Sequence, residues 1–265
     1  MIVYCNGDSF VAGTELGDHL LPGHPGYLPF DAGPQLRAKN NEWITNTYDS
    51  SHPLNVFRKS LRHQIEIEEK ARAWPSKLRE LLKCDTINAA VGGSSMDRIA
   101  RTTITDLISL KKDHDDIVAV IGTTGSDRYE VPYMEHSPWA DIIPHYSVHQ
   151  GTEDIVNYNI RHKTDYHSCV NFYKNIILIK DFCTSNNIQL LWLATMHSVE
   201  LPVEKEYKHA IDFLNLKEYA NLNYDIDMNQ TAADCGLPHV YAPSYHFTEE
   251  IHDLVAKQLL TIIKK

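Results

Sequence analysis

Four short stretches gather hydroxyls, glycines and a histidine in a pattern suited to acyl transfer. They are Gly7-Asp8-Ser9, Gly92-Gly93-Ser94-Ser95, Gly122-Thr123-Thr124-Gly125-Ser126-Asp127 and Pro243-Ser244-Tyr245-His246-Phe247. A serine hydroxyl becomes a nucleophile when an imidazole takes its proton, and backbone N–H groups then hold the oxyanion that forms. Ser9 is the candidate nucleophile and His246 the candidate general base. Glycine leaves the backbone approachable, so Gly92 or Gly93 and the Ser9 N–H are candidate oxyanion donors, with the Thr124 hydroxyl as a further one. Asp8 is expected to tie the turn to neighbouring backbone rather than serve as the catalytic acid. A plainer reading makes Ser9 a helix cap, a role serine fills well, but a cap does not account for the distant histidine.

These stretches need a scaffold that delivers them to one rim. The run Ile2-Val3-Tyr4-Cys5 is β-prone and ends in a turn at Asn6-Gly7. TINAAVGGSS and DDIVAVIGTTGSDR read as strands that also end in glycine and hydroxyls, IQLLWLAT as a buried strand, and HVYAP as a last short one. Between them, WPSKLRELLK, DRIARTTITDLISLKK and SCVNFYKNIILIKDFCTSNN read as helices, and FTEEIHDLVAKQLLTIIKK as a terminal helix with acids at its start and lysines at its end. Leu78, Leu81 and Leu82 on the first helix, and Ile99, Ile104, Leu107 and Ile108 on the second, are expected in the core. Glu204 to Asn221 is expected to hold helical turns. Strands alternating with helices imply an α/β fold with a parallel sheet of about five strands and helices on both faces, a three-layer α/β/α sandwich. In such sheets ligands bind beyond the carboxyl ends of the strands. Residues 1–265 read as one domain with insertions at about 18–70 and 129–162, the first holding a helix over Leu54 to Lys70.

The set resembles the SGNH, or GDSL-type, hydrolases, a family of flavodoxin-like α/β/α esterases, lipases and carbohydrate deacetylases. Gly7-Asp8-Ser9 matches the block that carries the family's nucleophile, and Asn88-Ala89-Ala90-Val91-Gly92-Gly93 maps onto its second block. The third block departs, with Thr124 where the family has asparagine and Gly125 after it. The fourth keeps His246 but has Pro243 at the position of the family's aspartate, although Phe247 to His252 resembles the helix start that follows the histidine. Losing one oxyanion donor typically costs about 10²–10³ in rate. Disabling the aspartate of a serine-protease triad costs on the order of 10⁴. The pair here would be a Ser9–His246 dyad, or would borrow a backbone carbonyl or another acid. The resemblance implies a serine esterase, acting without cofactor on a small acyl ester or an O-acetylated sugar. The alternative is an SGNH-like scaffold that has lost hydrolysis and serves as a binding or structural module.

Composition narrows the partners. Charged residues make up 23% and apolar residues 43% of the 265, ordinary for a chain with a sizeable core. A formal net charge of -10 argues against nucleic acid as a partner. No run of eighteen apolar residues is present, so no membrane span is expected, and without a signal peptide the expected location is cytoplasmic. Five scattered cysteines without a CxxC pair point to reduced thiols. His145 with His149 and His162 with His167 lack an HExxH pattern, so no metal site is expected, and the absence of GxGxxG and GxxxxGK[ST] disfavours nucleotide. Arg128 is expected in an ion pair with a nearby acid. Tyr129, Tyr133, Trp139 and Tyr146 either wall a substrate pocket or pack their insertion onto the body.

Overall fold

Side chains alternate across a strand, and in the first strand, β1 (Ile2–Asn6), this sends Ile2 and Tyr4 to one face and Val3 and Cys5 to the other, all buried. Strand β3 (Ile117–Thr123) repeats the pattern, with Ile117, Ala119 and Ile121 on the first face and Val118 and Val120 on the second. A sheet apolar on both faces has to be covered on both, which yields the three layers. The computed structural model describes residues 1–29, 31–126, 128–132, 139–142, 165–195, 222–242 and 245–263.

The sheet also contains β2 (Asp85–Asn88), β6 (Gln189–Ala194) and β7 (Ile226–Asp227), in the order β2-β1-β3-β6-β7 with every pairing parallel. This is the flavodoxin-like order, in which the chain leaves β1 toward opposite sides of the sheet and opens a crevice at the β1/β3 switch point. One face carries α5 (Met96–Leu110) and α6 (Asp165–Ser185), the other α1 (Ser9–Ala12), α4 (Trp74–Leu82), α7 (Met228–Asp234) and α8 (Glu249–Ile263). Helix α4 starts with Pro75 in its first turn, buries Trp74 and Leu78 one turn apart, and stops at Lys83 in the left-handed region. Leu78 is fully buried, and its truncation to Ala should cost about 2–5 kcal/mol.

Two expectations need correction, and a third is not tested. HVYAP is not the fifth strand. Ile226–Asp227 takes that place beside β6, and Tyr241 makes only isolated bridges to Leu28 and Phe247. Leu81 and Ile108 face solvent, 38% and 49% exposed, because their helices bury a narrower stripe than their apolar content suggests. Glu204 to Asn221 lies outside the described residues.

The first insertion holds two long helices, α2 (Pro34–Tyr48) and α3 (Pro53–Arg72), after a short 3-10 turn at Asp18–Leu20. Helix α3 begins with Pro53, and the His52 side chain accepts from Leu54 N. Helix α2 buries Asn40, Trp43 and Thr47, so its inward stripe is largely polar and leaves no hydrophobic period to read. The second insertion contributes an antiparallel hairpin of β4 (Tyr129–Pro132) and β5 (Trp139–Ile142). It is held to α5 by Arg101, which donates to both Glu130 carboxylate oxygens at 2.8 and 2.6 Å. All five cysteines are free thiols. No helix among the described residues is long and apolar enough to cross a membrane.

Candidate active site

Parallel register sets three strand ends level at the switch point. Cys5 pairs with Asn88 and Asn6 with Ile121, so the turns after β1, β2 and β3 emerge together. The first turn is tight because nothing larger than glycine fits. A Cβ on Gly7 would lie 2.4 Å from Val11 Cγ2, and a Cβ on Gly122 would lie 2.4 Å from the same atom and 2.8 Å from Thr195 Cγ2. Val11 drops into this gap and seats α1 on the edge of the sheet.

Asp8, not Ser9, caps that helix. Its carboxylate accepts from Phe10 N at 3.1 Å, and its carbonyl accepts from Val11 N and Ala12 N. Among the described residues the Ser9 N–H, like that of Asp8, has no hydrogen-bond acceptor, and the Ser9 hydroxyl makes no capping bond. Ser9 is 7% exposed. The second turn is pinned alongside, with Val91 N donating to Gly7 O at 3.3 Å and the Asn88 side-chain amide donating to Val11 O. Gly92 sits against the serine, since a Cβ there would lie 3.7 Å from Ser9 Cβ and 3.3 Å from Thr14 Oγ1. Gly93 follows in the left-handed conformation that turns the loop toward α5.

The third turn brings Thr124 and Arg128 to Asp8. Arg128 Nη1 donates to Thr124 Oγ1 at 2.8 Å and lies 3.5 Å from Asp8 Oδ2, the ion pair expected from sequence. The Thr124 hydroxyl lowers the pKa of the Asp8 carboxyl. Complete burial raises the pKa of Asp8, against the opposing effects of Arg128, the Phe10 N–H, His246 and Thr124.

His246 approaches from the segment between β7 and α8. Its ring packs on Phe10, the residue after Ser9, with centroids 4.9 Å apart. Ala242 N donates to His246 O at 2.7 Å and Thr248 N to Val240 O at 2.9 Å, closing the loop that carries it, and Tyr245 just before it takes a left-handed φ of 70°.

The carboxylate that faces His246 comes from outside the terminal stretch. Glu15 Oε2 lies 3.2 Å from His246 Nδ1, with the Glu15 side chain fully buried and 18% of the histidine side chain exposed. A carboxylate only accepts, so the ring nitrogen facing it carries the proton and Nε2 is left as the base. Burial alone would lower the pKa of His246. The charge and hydrogen bond of Glu15, with the charges of Asp8 and Glu69, outweigh burial and raise it. Glu15 itself adopts φ 73°, an uncommon backbone state outside glycine that concentrates at functional sites. Nothing in GTELGDHL marks it among 35 acidic residues, because its role depends on a backbone reversal after α1.

Around Glu15 lie further buried acids. Burial and Glu15 push the pKa of Asp18 up to about 6, opposed by Arg58, whose Nε is 3.9 Å away. Burial pushes that of Glu69 up to about 7. Among the described residues, no group of three or more His, Cys, Asp or Glu is arranged to hold a metal ion. His145, His149, His162, Tyr133 and Tyr146 lie outside the described residues, and Tyr129 is buried.

A model of a family of unknown function, DUF6071, matches residues 57–206. No curated protein matches the chain in sequence. Among solved structures, the chain is similar to a member of the lipolytic protein G-D-S-L family from Veillonella parvula DSM 2008, at 12% identity over 100% of this chain and 99% of that one, with TM-score 0.47. It is also similar to the psychrotrophic esterase EstA from Pseudoalteromonas sp., at 10% identity over 99% and 96% of the two chains, with TM-score 0.45.

Proposed function

The chain belongs to a family of unknown function, DUF6071, and we propose that it hydrolyses carboxylic esters through Ser9. The observation that carries this reading is the Glu15–His246 pair beside the Ser9 turn, which supplies the orienting acid that the terminal block lacks. A relic of the fold would have no need to bury a carboxylate against that ring.

In the proposed reaction His246 Nε2 takes the proton of Ser9 Oγ as the oxygen attacks the ester carbonyl carbon. The carbonyl π electrons move to oxygen, and the oxyanion is received by the N–H groups of Ser9 and of Gly92, with Gly93 next in the same loop. His246 returns the proton to the departing alcohol. A water then repeats the sequence on the acyl-serine, releasing the acid and restoring Ser9. Asp8, Thr124 and Arg128 hold the serine turn rather than touch the reacting atoms. A serine only 7% exposed admits a slim acyl group, so small acyl esters, O-acetylated sugars among them, are the proposed substrates.

The test is fluorophosphonate labelling with peptide mass spectrometry, on the wild type and on Ser9→Ala and His246→Ala variants. An adduct on Ser9 that vanishes in both variants supports the enzyme. No adduct beside a reactive control hydrolase overturns it and favours the second reading, a binding or structural module. That reading is motivated by Thr124 and Pro243, which stand where the resembled family has asparagine and aspartate.

A further inference from the structure

The acid and the base come from opposite ends of the chain, so something has to hold them in mutual register, and the structure places one element against both. Glu69, in the last turn of α3, accepts from Glu15 N at 2.8 Å across 54 residues of sequence. The end of α1 packs on the same spot, since a Cβ on Gly13 would lie 2.7 Å from Glu69 O and 2.6 Å from Ala73 Cβ. Three residues on, Arg72 Nη1 lies 3.4 Å from Glu249 Oε2, and Lys77 Nζ donates to Glu249 Oε1 at 2.6 Å. Glu249 opens α8, directly behind His246. Trp74 N donates to His252 Nδ1 at 3.1 Å, a second tie to α8.

We propose that Glu69 is a positioning residue for the acid–base pair, and that the carboxyl end of the inserted helix α3 is the clamp that registers Glu15 with His246. The inference rests on the esterase reading for its kinetic consequences, though not for its geometry. Without an acceptor on its N–H, the left-handed Glu15 has no reason to hold φ 73°, and a backbone that relaxes swings the carboxylate away from Nδ1. The charged and titratable groups that act on Glu69 or feel it are Glu15 and Asp18 from the segment after α1, Tyr48 from α2, Arg58 from α3 itself, and His246.

Two conservative substitutions separate position from charge. Glu69→Gln leaves an oxygen where Glu15 N donates but removes the charge. Glu69→Asp keeps the charge but draws the oxygens back by one methylene. The measurements are kcat and KM on p-nitrophenyl acetate, and the downfield proton resonance of His246 Nδ1–H, which needs no turnover. A positioning role predicts that Asp lowers kcat by about 10²-fold with KM unchanged, the cost of a roughly ångström-scale misplacement, and broadens the resonance. Gln retains the resonance and, on the pH plateau where His246 is neutral, the rate. The reverse order, Asp active and Gln impaired, overturns the inference in favour of a charge role, and equal behaviour of both with wild type overturns it outright. If the wild type neither hydrolyses the ester nor labels at Ser9, the esterase reading fails, and the resonance in the two variants still decides the clamp.

Discussion

Glu15 Oε2 faces His246 Nδ1 at 3.2 Å, so the carboxylate paired with this histidine lies in the turn just after the helix that opens with Ser9. Glu15→Gln presents an amide where the ring needs a pure acceptor, which allows the wrong tautomer. We expect kcat on p-nitrophenyl acetate to fall by about 10⁴-fold, as when the carboxylate of a serine-protease triad becomes an amide, with the circular dichroism spectrum unchanged. A rate close to wild type would mean that a Ser9–His246 dyad is sufficient.

The same pair sets the pH dependence. The base works only when neutral, and Glu15 helps to hold its pKa above the ordinary histidine value of 6.5 against the opposing effect of burial. The rising limb of kcat/KM should therefore lie above pH 6.5 and move to lower pH in Glu15→Gln. For stability the sign is opposite. A histidine pKa raised by folding stabilises fully below 6.5, and the contribution is lost as pH rises through the folded value. Denaturant midpoints of the wild type and of Glu15→Gln, compared from pH 5 to pH 9, should converge toward the alkaline end for this pair.

Two glycines at the rim should respond differently to alanine. Gly122→Ala drives a methyl to 2.4 Å from Val11 Cγ2, so it should destabilise by about 1–3 kcal/mol. Gly92→Ala meets nothing closer than Thr14 Oγ1 at 3.3 Å, so the fold should hold while the methyl crowds the space beside Ser9. Thermal melts should single out the first and kcat the second. A Gly92 variant of undiminished kcat would move the oxyanion site elsewhere.

His252 should govern acid stability. Burial, with repulsion from His246 and Lys77, lowers its pKa to about 3, and its Nδ1 accepts from Trp74 N. The unfolded chain binds a proton that the folded chain refuses, so stability should fall as pH drops from about 6.5 toward 3. His252→Gln loses part of that bond, a cost of about 1–3 kcal/mol at pH 8, but flattens the acid limb. Urea midpoints at pH 8, 6 and 4.5 report both effects. A parallel loss in variant and wild type would place the acid lability elsewhere, for example at the Lys77–Glu249 contact.

Most of the scaffold was legible along the chain. Continuous apolar runs in β1 and β3, and helical spacing in α4 and α5, implied a parallel sheet covered on both faces, because the local apolar pattern is the direct imprint of burial. The glycine-ended turns marked the rim, and Ser9 and His246 were singled out by residue type alone. Helix α2 was missed and HVYAP misread for opposite reasons. Helix α2 buries Asn40 and Thr47 beside Trp43 and so shows no hydrophobic period, whereas HVYAP shows β-prone content but pairs only as isolated bridges.

What tertiary structure decided was which groups meet. Sequence offered Ser9 as a possible cap and Asp8 as a tie to neighbouring backbone, and the bond from Phe10 N makes Asp8 the cap. Thr124 carried a hydroxyl with no named partner on paper and accepts from Arg128 in space. Glu15 carried no mark at all. Its position depends on a left-handed turn and on an acceptor supplied from 54 residues away, and both exist only once α3 has packed against the end of α1. Periodicity records which face of an element is buried, but the pairing of an acid with a base is set by distance through space, which no local pattern encodes.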